Sequence, residues 1–240
     1  MGNGLVKVIT GIRRSGKSYL LFELFYGYLL EAGVERDSII SIALDDEKLS
    51  ELRDPSRLLE FIQQKTPDPS QKYYLFLDEI QYAISEDELK HPNKPLRIYG
   101  VLNGLLRNHN IDIYVTGSNS RFLSTDVMTE FRGRGDEIHV LPFSFSEYMQ
   151  AFDGDIYHGW AEYVTYGGLP LVPSLKTDEQ KSTYLKSLFK ETYIKDIIDR
   201  NKIRKSAELD DLVNILASSI GSLTNPHKLS SSFKSIYHSD

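Results

Sequence analysis

The segment Leu5–Ser18, LVKVITGIRRSGKS, constrains this chain more than any other. A β-branched run stops at Gly11, and an eight-residue stretch rich in glycine and basic side chains leads into a helical pattern. That pattern places Leu20, Leu21, Leu24, Phe25, Tyr28 and Leu29 on one face, and Gly33 stands where such a helix would end. A buried strand, a tight loop and a helix are therefore expected in that order. The loop GIRRSGKS (Gly11 to Ser18) matches the phosphate-binding P-loop pattern. Gly11 and Gly16 permit the sharp backbone that turns successive N–H groups toward phosphate oxygens. Lys17 supplies a mobile positive charge to the β- and γ-phosphates, and the Ser18 hydroxyl is a ligand for Mg²⁺. The helix start adds its positive dipole end. The phosphate-contacting run is expected to cover Gly11, Ile12, Arg13, Arg14, Ser15, Gly16, Lys17, Ser18 and Tyr19. A match by chance in a chain of this length has a probability on the order of one per cent, and chance would not place it between a strand and a helix.

Further strands are expected at Ser38–Leu44, Tyr73–Leu77, Ile111–Thr116 and Glu137–Leu141, with helices from Asp54–Pro55 to Lys65 and from Leu96 to His109. A further helix is expected between Ser120 and Phe131, and the acidic segment Ser85–Pro95 reads as a surface loop. Strands alternating with helices imply an α/β fold with a parallel sheet covered on both faces. After Pro142 helical patterns dominate, interrupted by Tyr166–Pro170 (YGGLP). The expected division is a core over 1–145, a helical lid over 146–206 and a further segment over 207–240.

Tyr73–Glu79, YYLFLDE, ends an apolar strand on two carboxylates, where α/β sheets place ligands. Asp78 is the candidate for holding Mg²⁺, and Glu79 for activating the attacking water. An acidic turn alone would be commonplace; paired with a P-loop it points to nucleotide hydrolysis. Ser118 and Asn119, after the fourth strand, are candidates to sense a γ-phosphate, with capping of the next helix as the alternative or companion role. Arg132 and Arg134 are candidates to reach a γ-phosphate, in the same chain or a neighbouring one, or else solvated arginines near a helix end. Asp45 and Asp46 read as a turn. Lys195–Lys205 reads as a solvated helix face, with contact to a phosphate backbone as the alternative.

Other classes are disfavoured. There is no cysteine, and the six histidines are scattered, so a structural zinc site is not expected. Net charge is −6, which confines any nucleic-acid contact to a local patch. No apolar run approaches a membrane span, and the N-terminus lacks the pattern of a signal peptide, so a cytoplasmic protein is expected. Neither Asn93-Lys94 nor Asn201-Lys202 continues into a guanine-reading motif, which favours ATP over GTP.

Taken together, VKVITGIRRSGKS, YYLFLDEIQ, VTGSNSRFL, FRGRGDEIHVLPFSFSEY, YGGLP and ETYIKDI span most of the chain. In these pieces and their order the chain resembles a family of prokaryotic AAA-like ATPases of the ASCE P-loop class. Its members usually continue into a winged helix and a restriction-nuclease-like domain. The resemblance implies a three-layer sandwich with a five-stranded parallel sheet in strand order 5-1-4-3-2, then a helical lid. It casts Glu79 as the catalytic carboxylate, Ser118 or Asn119 as sensor 1, and Arg132 or Arg134 as the arginine finger. ATP and Mg²⁺ are the implied cofactors, and a homo-oligomer and DNA contact through the C-terminal part are partners it leaves room for. A winged helix is expected to begin over 207–240 and to be cut short, as in a fragment. The favoured function is Mg²⁺-dependent ATP hydrolysis that drives a conformational change. The alternative is a nucleotide-dependent regulatory switch with little turnover, and a small-molecule kinase ranks below both.

Overall fold

The computed structural model describes residues 3–91, 95–117, 133–194, 197–198, 206–221 and 225–237. The chain forms two compact units, Met1–Ser174 and Leu175–Asp240.

The first unit is built on one sheet. Its strands are β1 (Val6–Thr10), β2 (Ile39–Ala43), β3 (Tyr73–Asp78), β4 (Ile111–Thr116) and β5 (Gly135–His139). They run in the order β2-β3-β4-β1-β5, every neighbouring pair parallel. This is the expected order read from the other edge. β5 begins and ends two residues earlier than the sequence pattern suggested; it lies at the sheet edge, and all its residues after Gly135 are exposed. β1, β3 and β4 are buried throughout, which explains why they read as continuous apolar runs instead of alternating ones.

Helices cover both faces. α1 occupies residues 17–31 and is π-helical over Leu20–Phe25. It packs Leu21 and Leu29 onto Ile9, Phe76 and Tyr114. Phe25 sits 4.8 Å from the Tyr114 ring and 5.6 Å from Phe76, so the aromatic residues of one helix face meet those of two strands. On the other face, α2 (Pro55–Lys65) and α4 (Arg97–Leu105) bury Leu58, Ile62, Ile98, Leu102 and Leu105 against Val6, Val8, Leu75, Leu77 and Ile113. Each such side chain contributes about 1.5–3 kcal/mol when fully buried. Asp54 caps α2, accepting from the N–H groups of Ser56 and Arg57, and Pro55 occupies the first turn, as the sequence suggested.

One expectation is corrected. The segment from Ser85 is not all loop: α3 (Glu86–Lys90) forms there. Ser85 and Glu88 make a reciprocal capping box, which supplies the donors and acceptors a short helix start requires. After β5 come α5 (Phe145–Ala151) and α6 (Ile156–Tyr166), which pack through Phe145, Tyr148, Trp160 and Tyr163.

In the second unit, α7 runs from Asp178 to Ser187 and continues π-helically over Leu188–Ile194; α8 (Ser206–Ser218) and α9 (Pro226–Tyr237) follow. The winged helix expected from 207 onward is not shown: no β-strand, and hence no wing, occurs among the described residues of this unit. The helix expected before Phe131 lies outside the described residues, as do the Asn93-Lys94 and Asn201-Lys202 pairs.

Candidate active site

β1 and β3 deliver their C-terminal ends to one rim of the sheet, with β4 between them. On that rim the backbone departs from ordinary conformations at four places. Gly11 has φ 145°, Gly16 has φ 97°, and two residues with side chains also sit in the left-handed region, Arg14 at φ 66° and Glu79 at φ 51°. A left-handed residue bearing a β-carbon carries strain, and such strain clusters where function requires a particular backbone. A β-carbon on Gly11 would collide with the carbonyl oxygen of Val140, so glycine there is a steric requirement. Gly16 faces Pro170, whose Cγ would be 3.7 Å from an added β-carbon.

Lys17 and Ser18 begin α1 directly behind this loop. Lys17 is buried, and its Nζ donates to the carbonyl oxygens of Gly11 at 3.0 Å and Ile12 at 2.9 Å. Burial lowers the Lys17 ammonium below its ordinary range and outweighs the opposing charges of Glu79 and Asp78; Arg13 adds to the lowering. Strand register places the loop and the end of β3 together: Ile9 pairs with Thr116, whose hydroxyl donates to Asp78. The Ser18 hydroxyl lies close enough to the Asp78 carboxylate to oppose the rise of its pKa. Ser15 is buried, and its Oγ has no hydrogen-bond partner among the described residues. Ile12, Arg14 and Tyr19 are exposed, and Arg13 is half-buried.

Asp78 is itself buried, and this pushes its carboxyl above the ordinary range. The Thr116 and Ser18 hydroxyls resist the rise, while the charges of Glu79 and Asp45 reinforce it. A desolvated carboxylate in the company of two other acids is a site that gains from a cation. The hydroxyl and carboxylate of Ser18 and Asp78 are hard oxygen ligands of the kind Mg²⁺ takes. Ser18, Asp78 and the buried ammonium of Lys17 therefore fit a magnesium–phosphate ligand.

Glu79 follows on the strained turn. Its N–H donates to Thr116 Oγ1 at 3.1 Å, and that hydroxyl donates in turn to Asp78 Oδ1. The Gln81 side-chain amide donates to Glu79 Oε2. Asp46 caps the turn after β2, as its sequence position suggested, through Lys48 N–H at 2.9 Å.

Sequence reasoning therefore named Lys17, Ser18, Asp78 and Glu79, and these four come together. It passed over Thr116, Gln81 and Pro170. Thr116 ends its strand at the same rim as Asp78, a position legible once the strands are aligned; Gln81 and Pro170 close the pieces YYLFLDEIQ and YGGLP, but their residue types assigned them no role. Arg134 is not on this rim. Its carbonyl accepts from Val6 N–H at 2.8 Å, at the opposite end of β1, about 13 Å from Thr10 by strand rise. The expectation that it reaches its own chain's γ-phosphate is thus not met. Ser118, Asn119, Arg132 and nearly all of the basic run Lys195–Lys205 lie outside the described residues. A groove of about 500 Å³ between α2 and α4, lined by Leu59, Gln63, Arg97 and Val101 among others, contains none of the rim residues.

Comparison with known proteins supplies the family. Residues 3–149 match the family described as AAA domain, and residues 157–237 match a domain of unknown function. An uncharacterised protein of Haemophilus influenzae is 32% identical over 236 residues, covering 96% of this chain and 55% of that protein. An uncharacterised protein of Methanocaldococcus jannaschii is 26% identical over 223 residues, covering 88% and 46% respectively. The chain thus spans about half the length of the curated relatives it matches. Weak structural likenesses, both at a TM-score of 0.40, include C. elegans PCH-2 (16% identity, 61% of this chain and 36% of that one) and S. cerevisiae Hsp104 in a casein complex (15%, 68% and 27%).

Proposed function

The chain belongs to the AAA domain family, a nucleotide-binding, ATPase-like class, and we propose that it binds ATP with Mg²⁺ at the β1 loop and hydrolyses it to drive a conformational change. The observation that carries this reading is a buried Lys17 ammonium folded onto the carbonyl oxygens of its own glycine loop, on the sheet rim that also carries Asp78 and the left-handed Glu79. A merely acidic turn gives no reason for a buried lysine to stand on the same rim.

On this reading the N–H groups of the loop from Gly11 to Ser18 receive the phosphate oxygens, and Lys17 exchanges its two carbonyl partners for phosphate. That exchange is favourable because a buried ammonium gains more from an anion than from neutral carbonyls. Ser18 and Asp78 would hold Mg²⁺, which when bound neutralises charge on the phosphate oxygens. Glu79 accepts the proton of a water whose oxygen forms a bond to the γ-phosphorus, while the bond to the bridging oxygen breaks and ADP departs. Pro170 lies against Gly16 of that loop. Arg134, at the far end of β1, would serve a γ-phosphate only across a contact between copies of the chain.

The test is ATP turnover with Mg²⁺ alongside nucleotide binding. Lys17→Ala is expected to abolish both. Glu79→Gln is expected to keep binding and lose about 10²–10⁴-fold in turnover. Unchanged turnover in Glu79→Gln would remove Glu79 from the chemistry.

A further inference from the structure

Gln81 stands in the turn that follows the strained carboxylate, and nothing in the reading above uses it. The turn Ile80–Ala83 is a fixed platform. Ile80 and Ala83 are fully buried in the core, and Tyr82 N–H donates to the Glu79 carbonyl at 3.0 Å. Its outer side is held as well: the Arg53 guanidinium lies 5.1 Å from the Tyr82 ring centre. Arg53 also donates to the carbonyl oxygens of Leu44 at 2.8 Å and Asp45 at 3.2 Å, which ties the end of β2 to the same turn. With Ile80 and Ala83 buried and Tyr82 held by Arg53, the backbone from which the half-buried Gln81 projects is fixed.

The Gln81 amide donates to Glu79 Oε2. An ionised carboxylate offers only acceptors, so the NH₂ end of Gln81 must face it. Glu79 is then held at two points. Thr116 fixes its backbone N–H, and Gln81 fixes one carboxylate oxygen. A glutamate at φ 51° and ψ 50° would otherwise swing its carboxylate through several rotamers. A general base a fraction of an ångström out of place loses rate without any loss of substrate affinity.

Resting on the proposed hydrolysis, we infer that Gln81 is the positioning residue of the Glu79 carboxylate. It donates one hydrogen bond that orients the base toward the attacking water, and it touches neither nucleotide nor metal. The effect therefore belongs to the rate of chemistry, not to binding.

The experiment uses the full chain with Mg²⁺–ATP and the substitution Gln81→Met, which keeps side-chain length and removes the donor. Turnover at saturating ATP is expected to fall about tenfold, the rate equivalent of one lost hydrogen bond, while nucleotide affinity stays within about twofold. Repeating Gln81→Met in the Glu79→Gln background is expected to lower turnover no further, because the amide acts only through that carboxylate. Turnover equal to the unsubstituted chain, a loss confined to affinity, or the same tenfold loss in both backgrounds would each overturn the role of Gln81 and leave the hydrolysis reading standing. An unsubstituted chain that binds Mg²⁺–ATP without turning it over would overturn both.

Discussion

β1 carries Lys7 and β4 carries Asp112 in the middle of apolar runs, and the two meet inside the sheet's core. Nζ lies 2.7 Å from Oδ1, with the side chains only 5% and 4% exposed. Lys7 also donates to the Leu5 carbonyl at 2.9 Å, and Tyr114 donates its hydroxyl to Asp112 Oδ2 at 3.3 Å. Burial, first, and the Asp112 charge both push that phenol far above its ordinary range, which keeps it a donor. Asp112→Asn preserves shape and removes the counter-charge. Lys7 is then left desolvated, with the Lys72 ammonium, now 3.9 Å from Asp112 Oδ2, close at hand. Breaking a buried pair in this way costs about 3–5 kcal/mol, a large share of a typical domain's 5–15 kcal/mol. For a unit of this size, that corresponds to a fall in Tm of about 6–20 °C. Urea and thermal melts followed by circular dichroism measure it. Lys7→Met combined with Asp112→Leu is expected to return most of the loss, since matched apolar groups remove both desolvation terms. A single mutant within about 1 kcal/mol of the unsubstituted chain, or a double mutant as unstable as the single, would refute the assignment of that cost to an uncompensated charge.

Two further outcomes follow from the geometry. Gly11→Ala forces a β-carbon onto the Val140 carbonyl, whereas Gly16→Ala meets only ordinary contact and pays backbone strain of about 1–2 kcal/mol; melts should show the larger loss for Gly11→Ala, and titration should show weakened nucleotide binding in both. Glu88 is held below its ordinary value: burial pushes it up, but the Ser85 hydroxyl and the Arg97 and Ser85 N–H groups outweigh burial. A depressed carboxylate stabilises the fold above its unfolded pKa and loses that contribution as pH falls through the folded one, so urea midpoints should drop less for Glu88→Gln than for the unsubstituted chain between about pH 7 and about pH 3.

What could be read from the sequence was what local chemistry and period determine. The P-loop announced itself because its glycines, lysine and serine must occupy fixed spacings between a strand and a helix. The strand ends at Asp78 and Thr116 were visible because apolar β-runs stop there. Partnerships across strands were not visible. That Thr116 bridges Asp78 and the Glu79 N–H depends on β3 and β4 being neighbours, and Pro170 meets Gly16 only after the 153 intervening residues have folded. Lys7 and Asp112 did leave a trace, as lone charges in VKV and IDI, but only adjacency makes them a pair. The helix at Glu86–Lys90 was missed because the nearby prolines suggested a loop, although Ser85 and Glu88 already stood at capping-box spacing.

Calorimetric titration of this chain with ATP, with Mg²⁺ present and then withheld, tests most directly whether Lys17, Ser18 and Asp78 form one site. Saturable one-to-one uptake that weakens without Mg²⁺, and that disappears in Lys17→Ala, is the expected result. Heat changes absent under both conditions, or uptake indifferent to Lys17, would contradict it.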